Sequence, residues 1–210
     1  MNFDQFPKID NFKKEVVKTP ENKIKEGVDF VFEQNPELGS VGTKEQYSKY
    51  LEIIFPDSKV KNITFHGSNY KIEKFEKRKN PQNYNRTGFY KAGWFFSNSV
   101  NTAGAYIDNK YIVKVSNLIG LSKNKNPTIH ASLLNIQNFV EEDRKGQRGI
   151  GYDEVNNAYD NGNDAYIAKN VVDPYEKSDV YVVFQPEQIH ILGSQKDVEG
   201  FKEFVSKVKS

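Results

Sequence analysis

Phe65-His66-Gly67-Ser68 is the stretch on which the reading of this chain turns. It closes Asn62-Ile63-Thr64-Phe65, whose β-branched and aromatic content reads as a strand. A glycine there has no Cβ, so a ligand can approach the backbone closely. The N–H and C=O of one residue then offer a donor and an acceptor side by side, which is what a carboxamide requires. His66 stands next to it, placed to bond a sugar hydroxyl. A histidine before a turn also serves purely structural ends, so the four residues alone do not decide the matter.

A second segment strengthens the case. Gly93-Trp94-Phe95-Phe96-Ser97-Asn98 is an aromatic strand, and Ala103-Gly104-Ala105-Tyr106 ends a small-residue helix behind it. Small residues let that helix lie close to the strand and return one tyrosine towards it. Phe95 and Tyr106 would then sandwich a flat cationic ring, each contact worth on the order of 1 kcal/mol. The plainer alternative is two more core aromatics in a chain with 15 Phe and 12 Tyr.

Further out, the 210 residues suit one domain with terminal additions. Aromatic weight favours β-rich packing. A formal charge of +2 gives no general case for a duplex-binding surface. The chain has no cysteine, so disulfides, thiolate metal sites and cysteine nucleophiles are excluded together. Three scattered histidines make no metal site. No leader-like or membrane-spanning run is visible, and a cytoplasmic protein is expected.

The expected elements follow from pattern. Residues 1–42 read as an irregular or partly helical arm, with one short helix in 22–35. Residues 43–210 read as a single domain. Thr43-Lys44-Glu45-Gln46 is a capping box opening a helix that carries Tyr47, Tyr50, Leu51 and Ile54. Strands are expected at 111–115, 165–169 and 180–184. A short helix is expected between Pro127 and Val140, a long loop over 141–163, and an amphipathic helix over 196–208. His130 reads as a surface residue and His190 as a structural one. The basic run from Lys71 to Arg86 reads as a solvated loop.

The residues quoted above resemble the ADP-ribosyltransferases of the His-Tyr-Glu class, the diphtheria-toxin-like and poly(ADP-ribose) polymerase-like enzymes. Gly93 to Tyr106 lays over the polymerase-like pattern without insertion, with Phe95 and Tyr106 at the two ring-stacking places. Ala103 stands where the polymerases usually have a serine. The chain is most similar to the ADP-ribosyltransferase domains of phage and mobile-element polyvalent proteins, over roughly Glu45 to Val205. The marks are Tyr50–Ser58, Phe65–Ser68, Asp164–Asn170 and Tyr181–Ser194. The resemblance implies an α+β fold with a split β core of two small, mostly antiparallel sheets around an NAD cleft, and helices at both ends. It implies NAD as a substrate held by His66, Gly67, Ser68, Phe95, Phe96, Ser97 and Tyr106, with no metal.

One mark is missing. The resemblance implies a Glu, Gln or Asp just before Tyr181, where this chain has Val180. That side chain stabilises the cationic sugar as nicotinamide leaves, which valine cannot do. Asp179 is adjacent, although strand alternation turns it to the other face unless a bulge intervenes. Glu187 lies roughly 23 Å along at about 3.3 Å per residue. Asp153 and Glu154 sit in the expected loop. The expected catalytic set is therefore His66, Tyr106 and Asp179. The resemblance suggests an effector of a phage or mobile element that transfers ADP-ribose to a macromolecule, a host protein or a nucleic acid, with no membrane partner. The alternative is a non-catalytic or virion-associated module that keeps the NAD pocket.

Overall fold

The computed structural model describes residues 24–77, 93–107 and 126–208. The strand expected at 111–115 and the part of the basic run after Lys77 lie outside these residues. Three helices come first: α1 (Val28–Gln34), α2 (Leu38–Val41) and α3 (Lys44–Ile54). The capping box forms as its spacing predicts, with Thr43 Oγ1 accepting from the Gln46 amide at 3.2 Å and Gln46 Oε1 accepting from the Thr43 amide at 2.9 Å. Such a cap contributes about 1 kcal/mol. Where the arm before Thr43 is described it is mostly helical, and Val28, Val31 and Leu38 are buried.

The strands are β1 (Thr64–Ser68), β2 (Trp94–Ser97), β3 (Thr128–Leu134), β4 (Phe139–Asp143), β5 (Ala165–Val172), β6 (Lys177–Val183) and β7 (Ile189–Ile191). Among the described residues they run in the order β4-β5-β6-β2-β1-β3-β7, antiparallel except for β4 with β5. The β4-β5-β6-β2 and β1-β3-β7 halves meet through one registered pair, Phe65 with Ser97. The fold is thus α+β with a β core split between β1 and β2.

Three further helices complete the layers: α4 (Val100–Ile107), α5 (Tyr152–Asp160) and α6 (Gln195–Val208). On one face of the sheet, α1, α3 and α6 pack on Phe65, Ala131 and Leu133, while α5 packs on Tyr166, Ala168, Val180 and Val182. The helix α4 sits between these two clusters, over the split. The opposite face carries Phe75, Trp94, Phe96, Leu134, Ile167, Tyr181 and Val183.

Two expectations are corrected. The segment after Pro127 forms the strands β3 and β4, not a helix. In β3, Ala131 and Leu133 are buried on one face and His130, Ser132 and Leu134 on the other. A strand buried on both faces shows no alternation, so its apolar spacing mimics a helix. The long loop over 141–163 contains the end of β4 and all of α5. That helix buries only Val155, Asn156 and Ala158, too few to stand out among its acids and asparagines.

Candidate active site

Strand alternation assigns the candidate residues to the two faces of the sheet. Phe65 and Gly67 face the helices, and His66 faces the aromatic cluster. The His66 ring packs edge-on to Phe75 at 5.4 Å and tilted to Phe96 at 5.4 Å. Its Nδ1 lies 2.7 Å from the Phe95 carbonyl oxygen. A carbonyl only accepts, so Nδ1 carries the proton, and in the neutral ring Nε2 is the accepting nitrogen. A sugar hydroxyl would therefore donate to Nε2.

Gly67 has a packing reason for its missing Cβ beside the expected ligand approach. A Cβ there would overlap the Ala103 carbonyl of α4. The bare backbone lets α4 lie directly on β1, and Tyr106 stands one turn beyond Ala103 on that helix. Tyr106 is 47% exposed, and its hydroxyl donates to Asp173 with Oδ1 at 2.7 Å and Oδ2 at 2.6 Å. Burial, and then this carboxylate, push the phenol well above its usual pKa. Phe95 packs on the same face, against the cluster containing Val180 and Val182. Phe96 and Ser97 are buried beneath the site, and Ser97 Oγ accepts from the Ser99 amide at 3.0 Å. Ser68 Oγ accepts from the Tyr70 amide at 3.1 Å.

The acids are distributed less simply. β6 begins at Lys177, three residues before Val180, so Asp179 is within the strand. Val180 is buried on the helix face in register with Ser97. Asp179 points to the other face, where it meets Lys169 Nζ at 2.8 Å and accepts from the Asn170 amide at 3.0 Å. The register of β5 against β6 slips between Ala168 and Val171, and Asn170 has a φ of 54°. Asp179 holds that bulge. Asp153 and Glu154 are exposed in the first turn of α5, with Glu154 3.7 Å from Arg144. Glu187 is exposed in a short 3-10 turn, Pro186–Gln188.

Two acids that the sequence did not single out stand beside α4. Asp173 holds Tyr106, and Glu176 accepts from Ser99 Oγ, with Thr102 Oγ1 3.3 Å away. Both end the β5–β6 turn, where Asp-Pro-Tyr-Glu reads as turn chemistry and conceals the contact to α4.

A family model described as ADP-ribosyltransferase in polyvalent proteins matches residues 59–198, about two thirds of the chain. The chain belongs to this ADP-ribosyltransferase family. The match takes in every strand of the sheet and both sides of the split. No curated protein and no solved structure matches. An ADP-ribosyltransferase is an enzyme, and the fold described above is the one its family implies. Among the described residues no group of three or more His, Asp or Glu side chains is gathered as for a metal ion, and no helix is long and apolar enough to cross a membrane.

His130, expected at the surface, is 5% exposed and stands 6.4 Å from the His66 ring. Its strand position turns it inward beside β1. Its Nε2 is 3.2 Å from the Ile72 amide, which donates to the neutral ring, and 3.3 Å from the Tyr70 carbonyl. Desolvation wins, and its pKa is lowered from 6.5. The unfolded chain therefore binds this proton more readily, so stability is full above pH 6.5 and falls as pH drops below it. Urea midpoints at pH 7.5 and pH 5.5 should differ less in His130→Gln than in wild type. Equal differences would remove His130 as a cause.

Proposed function

We propose that this ADP-ribosyltransferase takes NAD as its substrate, releases nicotinamide and transfers ADP-ribose to a macromolecular acceptor. The observation that supports the reading is the single registered pair joining β1 to β2, with α4, the helix that carries Tyr106, lying directly on Gly67. In this reading Gly67 pairs with the carboxamide through its backbone, and Phe95 and Tyr106 hold the nicotinamide ring. His66 Nε2 accepts from a ribose hydroxyl, with Ser68 beside it and Phe96 and Ser97 as the supporting floor. The acceptor is best sought among host proteins, because the +2 charge of the chain offers little for a polyanion. An effector role for a phage or mobile element, exerted in the host cytoplasm, fits the polyvalent-protein family.

The test is incubation with NAD labelled in its adenosine half, together with host lysate. Nicotinamide release and label on protein or nucleic acid are then measured. His66→Ala should slow release by on the order of 100-fold, since it deletes a hydrogen bond aimed at the reacting sugar. Tyr106→Ala should chiefly raise KM for NAD, by roughly 10-fold for a lost stacking contact. A wild-type chain that yields neither nicotinamide nor labelled product would remove the transferase reading. The buried, apolar Val180 favours a second reading, a module that binds NAD without breaking it. Saturable NAD binding without nicotinamide release is its signature.

A further inference from the structure

We propose that the open edge of β3 at Ile129 is a docking slot for an extended, basic peptide segment of a partner protein. The cause begins in Ile191-Leu192-Gly193-Ser194. Strand β7 covers β3 only along Ser132–Leu134. The Leu192 amide makes one further bond, to the Ala131 carbonyl at 2.9 Å. Gly193 then takes a φ of 72°, its amide donates to Asp197 at 2.8 Å, and the chain turns into α6. Backbone groups alternate sides along a strand, and β3 keeps an unbroken register with β1 from Thr128 to Ser132. Ile129 therefore directs both its N–H and its C=O the same way as Ala131, away from β1. Among the described residues neither group of Ile129 has a partner, and nor does the Ala131 N–H.

A cleft of about 280 Å³ lies along this edge. Its walls come from both faces of the sheet, Phe30 and Val31 of α1 on one side and Lys71 to Glu73 on the other. The second wall is held down by the Ile72 amide, which donates to His130 Nε2 at 3.2 Å. A slot with a bare strand edge as its floor suits an added strand, whose residues offer a donor and an acceptor in the plane of the sheet. A peptide continuing the antiparallel line of β7 would exchange two bonds with Ile129. Ile129 itself belongs to the helix-side cluster, so the peptide residue opposite it turns towards Phe30 and Val31 and is aliphatic. Its two neighbours turn towards the other wall. The exposed rim sets two carboxylates, Glu37 and Glu73, against one ammonium, that of Lys71, which pairs with Glu73 at 2.7 Å. One carboxylate is left in excess, and basic side chains beside the aliphatic one balance it. The slot is one side chain removed from the candidate active site, since His130 stands 6.4 Å from the His66 ring.

The experiment follows amide hydrogen exchange by NMR on the full chain, with acetyl-Thr-Lys-Val-Lys-Thr-amide as the probe. In the free protein the Ile129 amide should exchange about 10-fold faster than the His130 amide, which is directed at β1. Saturating peptide should slow Ile129 by roughly 10-fold and leave His130 unchanged. N-methylation of the central valine removes the N–H that the Ile129 carbonyl accepts, and should weaken binding about 10-fold. Glutamate in place of both lysines should also weaken binding, and the double variant Glu37→Lys with Glu73→Lys should reverse that preference. A probe that leaves Ile129 exchange unchanged overturns the proposal. So does an N-methylated probe that binds equally well, or a charge preference that the double variant does not alter. An Ile129 amide already protected in the free monomer overturns it too, because another part of this chain then lies on the edge. Protection that grows with protein concentration overturns it in favour of a second copy. Nicotinamide release enters none of these measurements, so the slot and the transferase reading fail separately.

Discussion

Asp197→Ala should lower the unfolding free energy by about 3–4 kcal/mol, measured by urea titration at pH 7. Asp197 is 0% exposed, in the first turn of α6. Its carboxylate accepts from the Tyr47 hydroxyl of α3, from His190 Nε2 at 2.7 Å and from the Gly193 amide at 2.8 Å. Its own carbonyl receives the Tyr50 hydroxyl at 3.3 Å. One side chain thus ties α3, β7 and α6 together. Alanine would leave three donors without their acceptor, those of Tyr47 and His190 buried and that of Gly193 half-buried, each buried one costing about 1–3 kcal/mol if nothing replaces it. Relaxation and entering water keep the total below the sum. Asp197→Asn retains one carbonyl oxygen and the volume, so a smaller loss of about 1–2 kcal/mol is expected. Equal midpoints for wild type and Asp197→Ala would mean that the network contributes nothing net. Burial, and then the Asp197 charge, also push the Tyr47 phenol far above its usual pKa, which keeps it a donor to Asp197 at neutral pH.

Why this network was half legible is instructive. His190 was readable as a satisfied structural histidine, because it lies in the apolar run Gln188–Leu192. Its partner was not, because Asp197 in Lys196-Asp197-Val198-Glu199 looks like one of several acids at a helix start. The same division holds across the fold. Elements with one buried face, such as α3 and α6, wrote their period into the sequence, while the short strand β2 was legible from its run of rings. The twice-buried β3 and the thinly packed α5 did not, since their burial depends on neighbours distant along the chain. At the site, His66, Gly67 and Tyr106 were readable as residue types in a spaced pattern. The contacts of Asp173 and Glu176 with α4 depend on how the β5–β6 turn folds back, which no local pattern encodes. Alternation alone had placed Asp179 on the face opposite Val180, and the structure adds what it does there.

Gly67→Ala should cost about 2–3 kcal/mol, while Gly104→Ala, in the helix that covers it, should stabilise by about 0.5–1 kcal/mol. The contrast follows from what each added methyl meets. At Gly67 the new Cβ would overlap the Ala103 carbonyl, with Ile107 Cγ1 at 3.4 Å beyond it. A backbone carbonyl inside a helix cannot rotate away, so α4 as a whole must lift from β1. At Gly104 the nearest atom is Ile129 Cδ1 at 3.6 Å, an ordinary contact, and alanine is the better helix former. Lifting α4 would also move the Tyr106 ring and the first turn that holds Glu176. Gly67→Ala should therefore lose affinity for NAD along with stability, whereas Gly104→Ala should keep both. Thermal melts with and without NAD separate the effects. If Gly67→Ala melts with wild type but no longer gains stability from NAD, the glycine serves ligand approach after all and helix packing does not explain it. If it melts early and still responds to NAD in proportion, α4 has shifted without disturbing the split. The joint loss is the outcome that the overlap with Ala103 demands, because the same helix closes the core and carries the ring.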